Sequence, residues 1–231
     1  MQGTSNSTSP KLAQLRLFQL ISPGLPIGGF TYSQGLEWAV EAQWVTSQKS
    51  LALWLGDILQ HSLATLEIPL LMRLYRAVEL KDLQKISELN QFLVASRETS
   101  ELRAEESQRG QALARLLKQL LPELDQNLLK VCAENQLAGI ALAANYWHIE
   151  LEQLCLGYLW SWLENTSVAG VKLIPLGQSA GQQILMELSS QFEAALDRAS
   201  SISDEQMGSF TPAQIIASCR HQTQYTRLFR S

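Results

Sequence analysis

Three short stretches of this chain carry residue types whose spacing suggests chemistry. Gly24-Leu-Pro-Ile-Gly-Gly29-Phe30-Thr31 matches the glycine-rich loop that cradles nucleotide phosphates at every position but one. At that position Phe30 replaces the lysine whose ammonium must reach the β and γ phosphates, and the residues before the loop read as helix, not strand. A Gly/Pro-rich turn between two helices explains Pro23, Pro26 and the three glycines without a ligand. Gly177-Gln178-Ser179-Ala180-Gly181 fits the nucleophile elbow of serine hydrolases, with Asp197 or Asp204 and then His221 following in hydrolase order. Its context is wrong: an elbow needs a parallel sheet, the upstream residues read as helices, and Pro175 interrupts Val171–Leu176, the one strand-like segment. Cys219-Arg220-His221 is the one close Cys/His pair. Ligands at i and i+2 do not share a helical face, so the pair reads as a buried Cys219 and an exposed His221, weak metal candidates only.

Two charged stretches complete the inventory. Arg97, Glu98, Glu101, Arg103, Glu105, Glu106 and Arg109 alternate in sign, with Glu105 and Arg109 at favourable i, i+4 spacing, and read as a solvated helix face or a charged docking surface. The C-terminal run from Arg220 interleaves Arg227 and Arg230 with the aromatics Tyr225 and Phe229, residue types found at interface hot spots, and adds the apolar Leu228. No acidic residue follows Glu205, so the net charge of −4 divides into a +3 end and a −7 remainder. That remainder disfavours nucleic-acid binding. The tail therefore packs on its own domain or folds onto a partner.

The elements that must position these residues are helices. With 41 Leu and 22 Ala against 7 Val and 12 Ile, the chain favours residues that lose little freedom in a helix. Leu51, Trp54, Leu55, Ile58, Leu59 and Leu63 form the strongest i, i+3, i+4, i+7 stripe, and Pro69 is expected to break or kink that helix. Further helices are expected over 12–21, 32–42, 69–80, 82–94, 96–121, 125–134, 137–147, 149–164, 178–199 and 212–221. The last begins at Thr211-Pro212-Ala213-Gln214, a capping pattern with proline at the first helical position. The expectation is an all-α single-domain bundle of about nine or ten helices over 11–221, with a disordered N-terminus over 1–10 and a mobile, partner-docking tail over 222–231. Three widely spaced cysteines point to a reducing compartment, and no apolar run reaches the ~18 residues of a membrane span, so a cytoplasmic protein is expected.

Four blocks together resemble the urease accessory protein family UreF: Ser22–Glu37, Ser96–Arg103, Val171–Gln182 and Gln224–Ser231. One departure is Gln222, where the family pattern suggests a glutamate after the histidine. The resemblance implies an all-α, non-enzymatic maturation factor for nickel-dependent urease that works as a homodimer in the cytoplasm. It implies binding to the accessory protein UreD/UreH, recruitment of the UreG GTPase, and action of that assembly on urease apoprotein. It further implies modulation of GTP-dependent nickel delivery, with no tightly bound cofactor and nickel at most in transit. On this basis Tyr32, Ser33, Glu37, Lys172, Gln178, Ser179 and Gly181 are expected on the GTPase-facing or urease-facing surface. Arg220, Tyr225, Arg227, Leu228, Phe229 and Arg230 are expected to dock on UreD/UreH. A serine hydrolase using Ser179 and a helical adaptor unrelated to nickel are the competing readings.

Overall fold

The computed structural model describes residues 9–231, so most of the expected disordered segment, residues 1–8, lies outside it. Helix α1 (Pro10–Ile21) starts where Ser9 Oγ accepts from Leu12 N at 3.3 Å, two residues earlier than the apolar pattern indicates. It ends at Ser22, where the residue before a proline must be extended. A single 3₁₀ turn (Gly29–Thr31) and the short α2 (Leu36–Glu41) follow.

The strongest stripe of the sequence becomes α3 (Gln48–Ile58), started by a reciprocal Ser47–Ser50 cap. Pro69 does not break what comes next. The chain continues through a π-helical stretch (Leu59–Glu67) into α4 (Ile68–Glu79). Proline removes one N–H donor, and the wider turns release carbonyls that need other partners. Those partners come from residues far along the chain: Phe210 N donates to His61 O at 2.8 Å and Gly208 N to Thr65 O at 3.1 Å from one connecting segment, and Arg198 Nη1 to Gln60 O at 3.0 Å from the helix before it.

Then come α5 (Leu83–Ala95), capped by Asp82, α6 (Ser100–Leu120), capped by Thr99, α7 (Gln126–Cys132) and α8 (Gln136–Tyr146). The remainder is α9 (Leu151–Leu173), α10 (Gln178–Ser189), α11 (Phe192–Ser201) and α12 (Pro212–His221). Twelve α segments, two of them joined by the π stretch, make eleven continuous helices, close to the expected number. The fold is all-α, with no strand among the described residues.

Helix α8 is the central rod. Its Ala- and Gly-rich sequence is buried from Gln136 to Ala144 and is thin enough for α4 and α6 to close on it. Gly139 admits Leu113 from α6, whose Cδ2 would lie 2.9 Å from an added Cβ. Helix α9 packs on α10, α1 and α4, and the apolar side chains merge into one core.

Two expectations fail for a common reason. Val171–Leu176 is no strand: α9 runs on to Leu173, and the polar residues that seemed to end it near Glu164 turn their groups back onto the helix. Thr166 Oγ1 donates to Trp162 O at 2.8 Å, and Asn165 Nδ2 to Ser161 O at 2.8 Å. Packing extends the helix where propensity would stop it. Conversely, the single helix expected over 178–199 splits at Ser190-Gln191 into α10 and α11.

Candidate functional site

The loop after α1 and the end of the chain form one unit. Backbone bonds join them: Ser33 N donates to Ser231 O at 2.7 Å, and Arg230 N to Thr31 O at 2.8 Å. Ser33 Oγ also donates to Ser231 O, at 2.5 Å. The turn that allows this has two consecutive left-handed residues, Gln34 at φ 53° and Gly35 at φ 87°. Gly35 is required twice over, because a Cβ there would also sit 2.7 Å from Ser218 N on α12.

Glu37 is the anchor of the tail. Its carboxylate is buried and accepts from Leu228 N at 2.6 Å and Phe229 N at 2.9 Å, while His221 Nε2 lies 3.2 Å away. His221 Nδ1 is 2.7 Å from Glu101 Oε2, so the imidazole spans two carboxylates. The other oxygen of Glu101 accepts from Arg227 Nη1 at 2.7 Å. Phe229 is buried, and Arg230, Arg227 and Leu228 face outward.

One face of α6 serves both loop and tail through Glu101, Glu105 and Gln108, at i, i+4 and i+7. Glu105 accepts from Gln34 Nε2 at 3.1 Å, Ser231 Oγ at 3.2 Å and Arg109 Nη1 at 2.9 Å. Gln108 Oε1 accepts from Tyr32 Oη at 2.9 Å and from Arg230 Nη1 at 3.5 Å. Burial pushes the Glu105 carboxyl above its ordinary range, and Arg109 only partly offsets that. Burial and the Glu105 charge likewise raise the Tyr32 phenol.

The mixed-sign run is therefore not simply a solvated face. Arg97, Glu105 and Glu106 are buried. Arg97 Nη1 donates to Glu67 Oε1 at 2.7 Å, and Nη2 to Glu106 Oε1 at 2.6 Å. Burial works against the Arg97 charge, but Glu67 and Glu106 outweigh it and hold the guanidinium well above its ordinary value. The π-helical stretch, α6 and the turn at 96–99 are thus pinned together.

The expected roles of Cys219 and His221 are reversed: Cys219 is exposed and His221 is fully buried. Helix α12 packs on α2, which turns the His221 side of its last turn inward and leaves Cys219 outside. Among the described residues no group of three or more His, Cys, Asp or Glu side chains is arranged to hold a metal ion.

The other expected residues form a separate patch. Lys172, Gln178 and Ser179 are exposed around the α9–α10 turn, where Gly177 precedes the first turn of α10. Gly181 is buried; a Cβ there would meet Val171 Cγ2 at 3.0 Å. The His221 that the hydrolase reading would use as the base is held between Glu37 and Glu101. Arg220 and Tyr225 are exposed at the end of α12 and at the tail turn.

A family model described as UreF matches residues 45–189. The chain belongs to the UreF family. It is 52% identical over 225 residues to a protein named Urease accessory protein UreF from Alcanivorax borkumensis, covering 95% of this chain and 98% of that one. A protein of the same name from Pseudomonas putida KT2440 is 51% identical over 220 residues, with 95% and 98% covered. One from Klebsiella pneumoniae is 44% identical over 218 residues, with 94% and 97% covered. The relatives are named as accessory proteins, which accords with a non-catalytic role. No helix among the described residues is long and apolar enough to cross a membrane.

Sequence reasoning missed Gln34 and Gln108 as parts of this candidate site, and named Glu101 and Glu105 only within the mixed-sign run, without joining them to the loop and tail. The available signal was the i, i+4, i+7 spacing on α6, which is equally the signature of an exposed polar face.

Proposed function

We propose that this UreF-family chain is a non-catalytic maturation factor for nickel-dependent urease, acting in the cytoplasm as a scaffold between UreD/UreH and the UreG GTPase. Nickel is the cargo of that assembly, and the nucleotide belongs to the GTPase, in keeping with Phe30 in place of a phosphate-binding lysine. The chain modulates GTP-dependent delivery to the urease apoprotein through protein contacts alone.

The observation that carries it is the loop–tail unit anchored on Glu37. The tail stands as a formed surface with Tyr225 fully exposed, Leu228 67% exposed and Phe30 on the adjoining loop 56% exposed. Tyrosine and arginine side chains on a fixed backbone are what a docking partner uses as anchors, and exposed apolar neighbours such as Leu228 and Phe30 help to exclude water around them. Tyr225, Leu228, Arg227 and Arg230 are in this reading the contacts to UreD/UreH. Tyr32, Ser33, Glu37 and Phe229 are buried and act by shaping that surface. Lys172, Gln178 and Ser179 offer a second, separate face for UreG or urease. For the homodimer, Leu12, Leu15 and Phe18 leave an apolar stripe exposed on α1.

Co-purification tests this. Tyr225→Ala with Leu228→Ala should lose UreD/UreH while keeping the helical circular dichroism of the parent. Lys172→Glu should keep UreD/UreH and lose UreG. In cells lacking the endogenous factor, the unaltered chain should restore urease nickel content. An intact complex in both variants, or failed complementation by the unaltered chain, overturns the reading in favour of a helical adaptor unrelated to nickel.

A further inference from the structure

A cavity of about 40 Å³ lies beneath the loop, among α1, α6, α8 and α9. Ile27, Gly29 and Gln34 roof it, and Arg109, Gln136 and Tyr158 stand in its walls. Two buried polar atoms of these lining residues, Arg109 Nε and Gln136 Oε1, have no hydrogen-bond partner among the described residues. Gln136 is only 2% exposed, and Arg109 gives Glu105 one nitrogen, Nη1. A charged donor and an amide acceptor left dry would each forfeit their hydration.

The lining selects what could satisfy them. Among the described residues Glu105 and Arg109 are the charged side chains of its lining, and they pair with each other, so neither a cation nor an anion gains net attraction. The unmet needs are one donor and one acceptor, which water supplies from a single molecule. A water requires roughly 10–15 Å³ of such volume, so there is room for about three.

We propose that this cavity is an internal hydration site whose waters link Arg109 Nε to Gln136 Oε1 and support the loop from below. The loop then rests on a replaceable polar cushion instead of a packed apolar floor. The inference stands independently of the partners assigned above.

A crystal structure of the full chain, at a resolution that defines waters, tests it directly. The expected result is ordered water within hydrogen-bonding distance of Arg109 Nε and the Gln136 amide. A dry or collapsed cavity, or Arg109 and Gln136 paired with protein groups, overturns it. A second measurement is thermal unfolding of Gln136→Met, which keeps the volume and removes the acceptor. A hydrated site loses a hydrogen bond, and the midpoint falls by about 2–4 °C. If the site is dry, the substitution removes an unsatisfied group and the midpoint rises, which refutes the proposal. Sodium formate probes the anion alternative: unchanged thermal stability at constant ionic strength is expected, and a rise on titration would assign the site to an oxyanion.

Discussion

Glu37→Ala should release the tail without unfolding the domain. The buried carboxylate takes two backbone donors, Leu228 N at 2.6 Å and Phe229 N at 2.9 Å. Hydrogen bonds to a charged group contribute about 1.5–3 kcal/mol each, so losing both costs the docked tail at least about 3 kcal/mol. At about 1.4 kcal/mol per factor of ten, the open population rises roughly 100-fold. Hydrogen exchange of peptides covering residues 222–231 reads that change, as does trypsin. The peptide bond after Arg227 contains the Leu228 N–H that Glu37 holds, so its cleavage should accelerate by a similar factor. Peptides from α8 should keep their protection, because α8 lies in the core away from Glu37. Tyr225→Ala is the control: that side chain is fully exposed, and tail exchange should not change. Unchanged protection of Leu228 and Phe229 in Glu37→Ala would refute the anchor. Equal loss of protection in α8 would mean that Glu37 supports the core instead of the tail.

Three further outcomes are expected. Burial, with Glu134 and Glu152 respectively, pushes the Cys132 and Cys155 thiols up to about 12, so a native-state thiol reagent should titrate Cys219 alone and all three only after denaturation; more than one rapid equivalent would contradict the burial. Arg97→Met strands the Glu67 and Glu106 carboxylates in the interior and should lower unfolding free energy by about 3–5 kcal/mol in urea titrations. A loss below about 1 kcal/mol would show that the cluster is hydrated. The raised Glu105 carboxyl binds its proton more tightly when folded, so its contribution is complete below the ordinary glutamate range and is lost as pH rises through the raised value. Glu105→Gln should therefore become progressively more stable relative to the parent as pH rises from acidic to neutral; a pH-independent difference would refute the shift.

The helical class and most helix starts were legible because they depend on local chemistry. The helices expected from 82 and 125 begin one residue later, with Asp82 and Asp125 as their caps, and Pro212 opens α12 as expected, although Thr211 there donates to Gln214 Oε1 at 2.9 Å instead of capping the backbone. Helix ends set by packing were not. The continuation of α9 past Glu164 and the passage through Pro69 depend on neighbours remote in sequence. The site shows the same division. Its members at 32–37 and 225–230 were singled out, but not that Glu37 faces inward or that α6 joins the two. The 120 positions between Glu101 and His221 carry no periodic signal that would bring them to 2.7 Å. A mixed-sign helix face reads as solvated unless other parts of the chain cover it, and here Glu67 of the π-helical stretch pairs with Arg97 while Arg227 of the tail pairs with Glu101.

That covering also resolves how the +3 end and the −7 remainder meet. Arg227 pairs with Glu101 while 40% exposed, and Arg230 reaches the uncharged Gln108 and Tyr32. An ion pair so exposed contributes little, at most about 1 kcal/mol, and salt screens it. The tail is held instead by its backbone bonds to Glu37, Thr31 and Ser33 and by the burial of Phe229, none of which salt abolishes. Charge is thus largely left over for the outside. A partner of the kind proposed, engaging Tyr225, Leu228 and Arg230, meets a backbone already fixed and need not supply the roughly 1–2 kcal/mol per residue of backbone ordering, so that only the exposed side chains remain to be immobilised. The consequence separates two roles that the sequence merges in one block of residues: the buried positions set the shape of the surface, and the exposed positions give it affinity. Substitutions of the first kind should weaken docking through tail exchange, whereas those of the second should weaken it with tail exchange unchanged.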